Sequence, residues 1–312
     1  MSGPKFVVSA LAAAALLAGA SSRLVAQAGC SARNTPNLIY PGDPRWALDK
    51  NVYPAAVNFA DAAITGTNPR SGNGSLELST TGSLFDWAFF KRVADGGAAW
   101  GLLSDVNCLT FDWWRDSYTI PPNLPPLLDA ALNAETWQEQ TPVLRLLVRD
   151  VKDNQTVFSH LVWERWYNTR NAGVVPTEND QWHFENLTGQ QLWRHFDGGL
   201  SYTNAGCVNT GFSGSDALQT YDIGGWVQNC YSASAEVYGI MIGVGSMWPG
   251  DYHAFLDNVQ LGFNGQDGFA VEDNFELPVS AVPEPGSLAL LTTGLLALSG
   301  AGYLRRRRPP RG

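Results

Sequence analysis

The stretches LTFDWWRD (109–116) and VFSHLVWERWYN (157–168) set tryptophan and carboxylate at alternate positions. Successive side chains of an extended chain point to opposite faces. Asp112 and Trp114 therefore share one face of the first stretch, and Phe158, His160, Val162, Glu164 and Trp166 share one face of the second. Arg145 and Arg149 share a face of PVLRLLVRD (142–150), which lies between them in the chain. Sugars present C–H faces that stack on aromatic rings, and hydroxyls that pair with carboxylate and guanidinium groups. If these faces coincide, Asp112, Trp114, Arg145, Glu164 and Trp166 form a sugar platform. The competing reading is an ordinary half-exposed sheet, with its charges salt-bridged and its tryptophans covering the core.

Catalysis has less support. Glycoside hydrolysis needs two facing carboxylates roughly 5–10 Å apart, and the strand-borne candidates are Asp112, Glu164 and Glu185. No GxSxG elbow, HExxH helix or Gly-rich phosphate loop is present. With four histidines and no CxxC pair, a transition-metal site is not expected. Asp257, entering FLDNVQL, is a candidate ligand for a structural Ca²⁺. Calcium takes six to eight oxygens, so the alternative is a carboxylate that caps a strand end. The four cysteines allow three pairings. Cys207 with Cys230 is the preferred pair, since it would clamp one Gly-rich loop, which leaves Cys30 to pair with Cys108 or both unpaired.

The elements that must position these groups read as strands. SLELST (75–80), FDWAFFKRV (85–93), DQWHFENL (180–187), VYGIMIGVGS (237–246) and HAFLDNVQLGF (253–263) join the three stretches above. Residues 29–70 are broken by five prolines and read as loop. Short helices are expected at LLDAALNA (127–134) and near Ser215. The expected fold is all-β: an antiparallel, jelly-roll-like β-sandwich over 29–263, followed by a Gly/Asp-bearing linker at 264–282, in which DNFEL (273–277) could still pair. All 12 tryptophans fall between Trp46 and Trp248, which points to a large packed core, a stacking surface, or both.

The two ends set the compartment. Lys5 precedes the apolar run Phe6–Ala20, and small residues follow, as in a secretory signal peptide over 1–28 with cleavage between Ala20 and Ala28. At the other end an uncharged run, 287–303, is closed by Arg305–Arg308. A helix over it covers about 25 Å, a little short of the bilayer core, with the arginines on the cytoplasmic side. The chain carries 20 Lys+Arg against 29 Asp+Glu. Setting aside Lys5, Arg23, Arg305–Arg308, Arg311 and Glu284 with the two ends leaves 13 basic and 28 acidic residues, a net charge of −15. Nucleic acid is therefore not an expected partner, because it needs a basic footprint.

Pro283-Glu284-Pro285, the apolar span and the terminal arginine cluster, in that order, resemble the PEP-CTERM sorting signal over 283–312. The resemblance implies Sec-type export, transient anchoring in the inner membrane and processing by an exosortase. It also implies a destination at the cell surface or in an exopolysaccharide matrix. SGNGSLELS (71–79) and the run from Val237 to Phe263 resemble the opening and closing strands of galactose-binding-like and carbohydrate-binding jelly rolls, which implies a sandwich and contact with glycan. The expected protein is thus exported, non-catalytic and associated with extracellular polysaccharide. A purely structural or adhesive surface protein, and a polysaccharide hydrolase or lyase, are the alternatives.

Overall fold

The alternating apolar residues build two stacked sheets. The computed structural model describes residue 30 and residues 36–49, 60–80, 88–117, 140–152, 154–165, 178–196, 220–244 and 252–278. The first sheet contains β1 (Asn37–Ile39), β3 (Asp61–Thr65), β4 (Ser75–Ser79), β7 (Val106–Arg115), β10 (Trp182–Asn186), β14 (His253–Phe263) and β15 (Phe269–Phe275). The second contains β2 (Ala47–Asp49), β5 (Ala88–Val93), β6 (Gly101–Leu102), β8 (Val143–Lys152), β9 (Gln155–Trp163), β11 (Leu192–Phe196), β12 (Thr220–Tyr221) and β13 (Glu236–Val244). Among the described residues a short α-helix, α1 (Ile223–Asn229), is capped by the Asp222 side chain, which accepts from the Gly225 amide.

Between the sheets lie Leu109, Phe111 and Trp113 of β7, facing Leu161 and Trp163 of β9, all essentially inaccessible to water. The Phe111 and Trp163 rings meet edge to face at 5.4 Å, so β7 and β9 belong to opposite layers. Each such side chain contributes about 2–3 kcal/mol by burial. A polar tie also crosses the layers: Asp273 of β15 accepts from the Trp46 indole at 2.8 Å and is paired with Arg92 of β5. Cys30 is bonded to Cys108. Cys230 is also disulfide-bonded, and its expected partner Cys207 lies outside the described residues.

Two expectations need revision. The proline-rich segment before 70 contributes β1, β2 and β3, short strands at sheet edges where breaks are tolerated. The segment read as a linker, 264–282, instead turns at Gly265 and Gly268, both with positive φ, and returns as β15 between β1 and β14. Val271, Asp273 and Phe275 are buried, so the compact unit extends to Leu277 rather than ending at 263. Ser215, where a short helix is expected, lies outside the described residues; α1 follows it in the chain. The segments 127–134 and 283–312, with Pro283, Glu284 and Pro285, lie outside the described residues.

β14 is the hub of the first sheet. Along one side it pairs with β7; along the other it pairs first with β4, through Leu256, and then with β15, from Val259. At this fork Asn258 takes a left-handed φ of 52° and the register against β7 shifts. Asp257, fully buried, holds the fork together. It accepts from the amides of Ser71 (3.2 Å), Asn258 (2.8 Å) and Phe275 (3.0 Å). Burial pushes its carboxyl up to about 7, against the opposing pull of those three amides.

A carboxyl whose folded pKa is raised contributes stability that is complete below its unfolded pKa and lost as pH rises through the folded value. Wild-type stability should therefore fall between about pH 4 and pH 7 on account of Asp257. In Asp257→Asn that slope should be flatter. At pH 5 the variant should be about 1 kcal/mol less stable, because its amide nitrogen faces one of the amide donors. By pH 8 the gap should shrink or reverse. Thermal unfolding of both proteins across this range checks it, and parallel pH profiles would refute the assignment.

Candidate functional site

Pairing across the first sheet assembles rows of side chains on its outer face. β10, β7, β14 and β4 align Trp182, Trp114, Phe255 and Glu77 in one row. The next row is Phe184, Asp112 and Asp257, and the third is Asn186, Thr110 and Gln260. Phe184 is 62% exposed, the highest value among the large apolar side chains described. Trp114 and Trp182 are half-buried. On the inner side of the same strand, His183 stacks on the core ring of Trp113 at 4.3 Å. The strand WHFEN thus turns its exposed aromatic rings outward and ties its other side to the core.

Polar groups surround this aromatic strip. Asp112 accepts from Arg70 Nε at 3.0 Å and from Asn258 Nδ2 at 2.9 Å. The Arg70 guanidinium also lies 5.9 Å from the Trp182 ring, within cation–π range. Arg70 reaches this position because its loop is pinned at both ends. Asn73 donates its amide to Glu276 at 2.6 Å, and Asn258 Nδ2 donates to Ser71 Oγ at 2.9 Å. Gly74 is required in the loop, since a Cβ there would sit 2.8 Å from the Glu276 backbone.

At the far end of the strip, His253 stands between two carboxylates. Its Nε2 is 2.7 Å from Glu77 Oε1 and its Nδ1 contacts Asp116 Oδ2. Glu77 also accepts from the hydroxyls of Thr65 and Thr67. Burial favours the neutral ring, but the bonds to Glu77 and Asp116 outweigh it and raise the His253 pKa. Glu77 is lowered: burial acts the other way, and the donors Thr65, His253 and Thr67 prevail. The pair therefore adds most stability between the two titrations, losing the Glu77 part in acid and the His253 part in base. The ring meets Phe255 edge-on at 4.7 Å, and Phe255 meets Trp114 edge-on at 5.3 Å.

The platform expected from sequence divides between the two sheets. Asp112 and Trp114 stand on the outer face of the first sheet. Arg145 belongs to β8 of the second sheet, and Glu164 follows β9 of the same sheet. The two outer faces point away from each other across the core, so the expected faces do not coincide. Arg145 lies over the Phe89 ring at 4.1 Å. Around it Phe89, Leu147, Val162, Trp193 and Met241 are all buried, so the middle of that face offers no open aromatic surface. Trp166 lies outside the described residues.

The three catalytic candidates take different positions, although Arg165, next to Glu164, lies 3.6 Å from Glu185. Asp112 is outward on the first sheet and Glu164 ends a strand of the second. Glu185 accepts from the core Trp113 indole at 3.3 Å and from Gln190 at 3.0 Å. Asp257, the candidate calcium ligand, sits at the fork of the first sheet. Three amide donors already engage its oxygens, and among the described residues no group of three or more His, Cys, Asp or Glu side chains could hold a metal ion. Its position is that of the alternative, a carboxylate capping a strand junction. Trp182, Phe184, Arg70 and His253 were not anticipated. Period-two alternation in WHFEN marks Trp182 and Phe184 as sharing a face, but only the pairing of β10 with β7 sets that face beside Trp114.

No protein-family model matches the chain, and no curated protein matches it. Solved structures similar to it include a family 11 carbohydrate-binding module of a cellulosomal cellulase of Clostridium thermocellum, at 11% identity and a TM-score of 0.35 over 74% of this chain and 96% of that one. A family 11 module from the same organism, in complex with a β-1,3-1,4-mixed-linked tetrasaccharide, matches at 13% identity and a TM-score of 0.33 over 70% and 88%. A family 30 module of another cellulosomal cellulase of that organism matches at 9% identity and a TM-score of 0.34 over 75% and 96%. These similar structures are carbohydrate-binding modules, and at this similarity they identify no ligand for the present chain.

Proposed function

We propose that this chain is an exported, non-catalytic glycan-binding protein whose site is the outer face of the first sheet. The observation that carries the reading is the open aromatic strip Trp182–Trp114–Phe184, edged by Asp112 and Arg70. Aromatic rings of this kind stack on the C–H face of a pyranose, and the flanking acceptors and donors engage its hydroxyls. The strip lies on strands rather than loops, so its geometry is fixed before ligand arrives and little ordering cost is added on binding. Carbohydrate-binding modules among the similar folds accord with the reading without carrying it.

Binding should be measured as retention on β-1,3-1,4-glucan, cellulose, agarose and the exopolysaccharide of the cells that make the protein. Wild type should be retained on at least one. Trp182→Ala and Phe184→Ala should weaken that retention about tenfold, the scale of an aromatic anchor at a binding surface. Arg145→Ala, on the opposite face, should leave it unchanged. No retention on any polysaccharide, or retention indifferent to both aromatic changes, would remove the proposal.

The second part of the proposal concerns destination. The ordered tail Pro283-Glu284-Pro285, apolar span and arginine cluster supports sorting by an exosortase, followed by release to the cell surface or extracellular matrix. Replacing Pro283, Glu284 and Pro285 with alanine should leave a membrane-retained, unprocessed form, detected by immunoblotting of membrane and medium fractions. Normal release of that variant would defeat the sorting reading.

A further inference from the structure

Both ring nitrogens of His253 face carboxylates, Glu77 from β4 on one side and Asp116, just after β7, on the other. A neutral imidazole has one N–H and one lone pair, so it can donate to only one of them. The imidazolium donates to both. The arrangement therefore matches the charged ring, and loss of its proton sets a lone pair against a carboxylate.

The consequences follow from what the ring joins. Pairing places Ser79 of β4 beside His253 and Asp61 of β3 beside Ser79. On the other flank Asp180 accepts from Ser117, next to Asp116. Among the described residues, the charged groups that pairing and hydrogen bonds bring to these flanks are Glu77, Asp116, Asp61 and Asp180, all carboxylates. Arg115, the nearest cation along β7, lies on the strand's opposite face, where its guanidinium donates to Asn179 and the Gln140 carbonyl. The same imidazole edge supports Phe255, and Phe255 supports Trp114 of the aromatic strip.

We propose that His253 is a pH-reading positioning residue: as an imidazolium it ties β4 to the end of β7 and holds Phe255 against Trp114, and on deprotonation the tie opens and the aromatic strip loses its fixed geometry. The regulatory consequence, glycan binding that weakens in alkaline solution, rests on the glycan-binding reading above. The tie itself does not.

The test has two arms on the purified full chain. In the first, NMR titration of the imidazole resonances gives the His253 pKa, and tryptophan fluorescence is followed over the same pH range. The ring should titrate above the ordinary histidine value, with a fluorescence step at the same pH that is absent from His253→Gln. Titration at or below the ordinary value, or an unchanged step in His253→Gln, would overturn the proposal. In the second arm, affinity for soluble β-1,3-1,4-glucan is measured against pH for wild type, His253→Gln and Asp116→Asn. Wild-type affinity should fall severalfold through the His253 titration, while the His253→Gln profile should be flat. Asp116→Asn should move the midpoint to lower pH. Binding with the same pH profile in wild type and His253→Gln would overturn the regulatory role and leave the glycan reading intact. A fluorescence step at the His253 pKa with no glucan binding at any pH would support the tie and count against the glycan reading alone.

Discussion

The first sheet depends on how one strand serves two partners on the same side. β14 cannot pair with β4 and β15 over the same residues, so the sheet must fork, and backbone amides at a fork lose their ladder acceptors. Asp257 supplies those acceptors. Its carboxyl takes the amides of Ser71, Asn258 and Phe275, one from each branch and one from the bend itself. An unsatisfied buried amide costs about 1–3 kcal/mol, and here a single side chain receives three of them. The left-handed turn at Asn258 then sends an amide side chain to Asp112. The fork and the candidate site are thus joined by one residue.

Much of the layer architecture was legible in sequence, because period-two alternation is a local signal. LTFDWWRD, PVLRLLVRD, VFSHLVW and HAFLDNVQLGF all form strands close to where alternation places them. Short strands are harder. β1 and β2 are three residues each, too brief for a period to show, and they sit among prolines that signal interruption. β15 was obscured differently: glycines and acids around FAVEDNF look like a spacer, yet Asp273 is buried because Arg92 and the Trp46 indole meet it from the opposite sheet. A local pattern contains no record of such distant partners.

The candidate site was half legible for the same reason. Alternation correctly placed Asp112 with Trp114 on one face, since that is a property of a single strand. Whether that face meets the face of another strand is a property of topology, and neighbouring strands in sequence can lie in different layers. Between β7 and β8 the chain passes from one sheet to the other, and so Arg145 and Glu164 point away from Trp114. The residues that do adjoin it, Trp182 and Phe255, come from strands about 70 and 140 positions further along the chain. Their arrival depends on pairings that only the folded register specifies.

The acidic composition has a structural use that a net charge conceals. With the two ends set aside, 13 lysines and arginines face 28 acids, so most carboxylates cannot be neutralised by salt bridges. Instead they collect backbone amides and hydroxyls at turns: Asp150 receives Ser232, Asp180 receives Ser117, Asp222 receives Gly225 and Glu276 receives Asn73. Each such bond supplies an orphan donor with an acceptor and fixes a loop without needing a cation. Three basic side chains stand where geometry must be held: Arg92 between the sheets, Arg70 over the aromatic strip, and His253 between two acids. Of these three only histidine can lose its charge in the ordinary pH range. A protein that fastens its loops with carboxylates and braces its exposed face with one imidazolium gives that brace a sensitivity to alkali that the arginine ties lack.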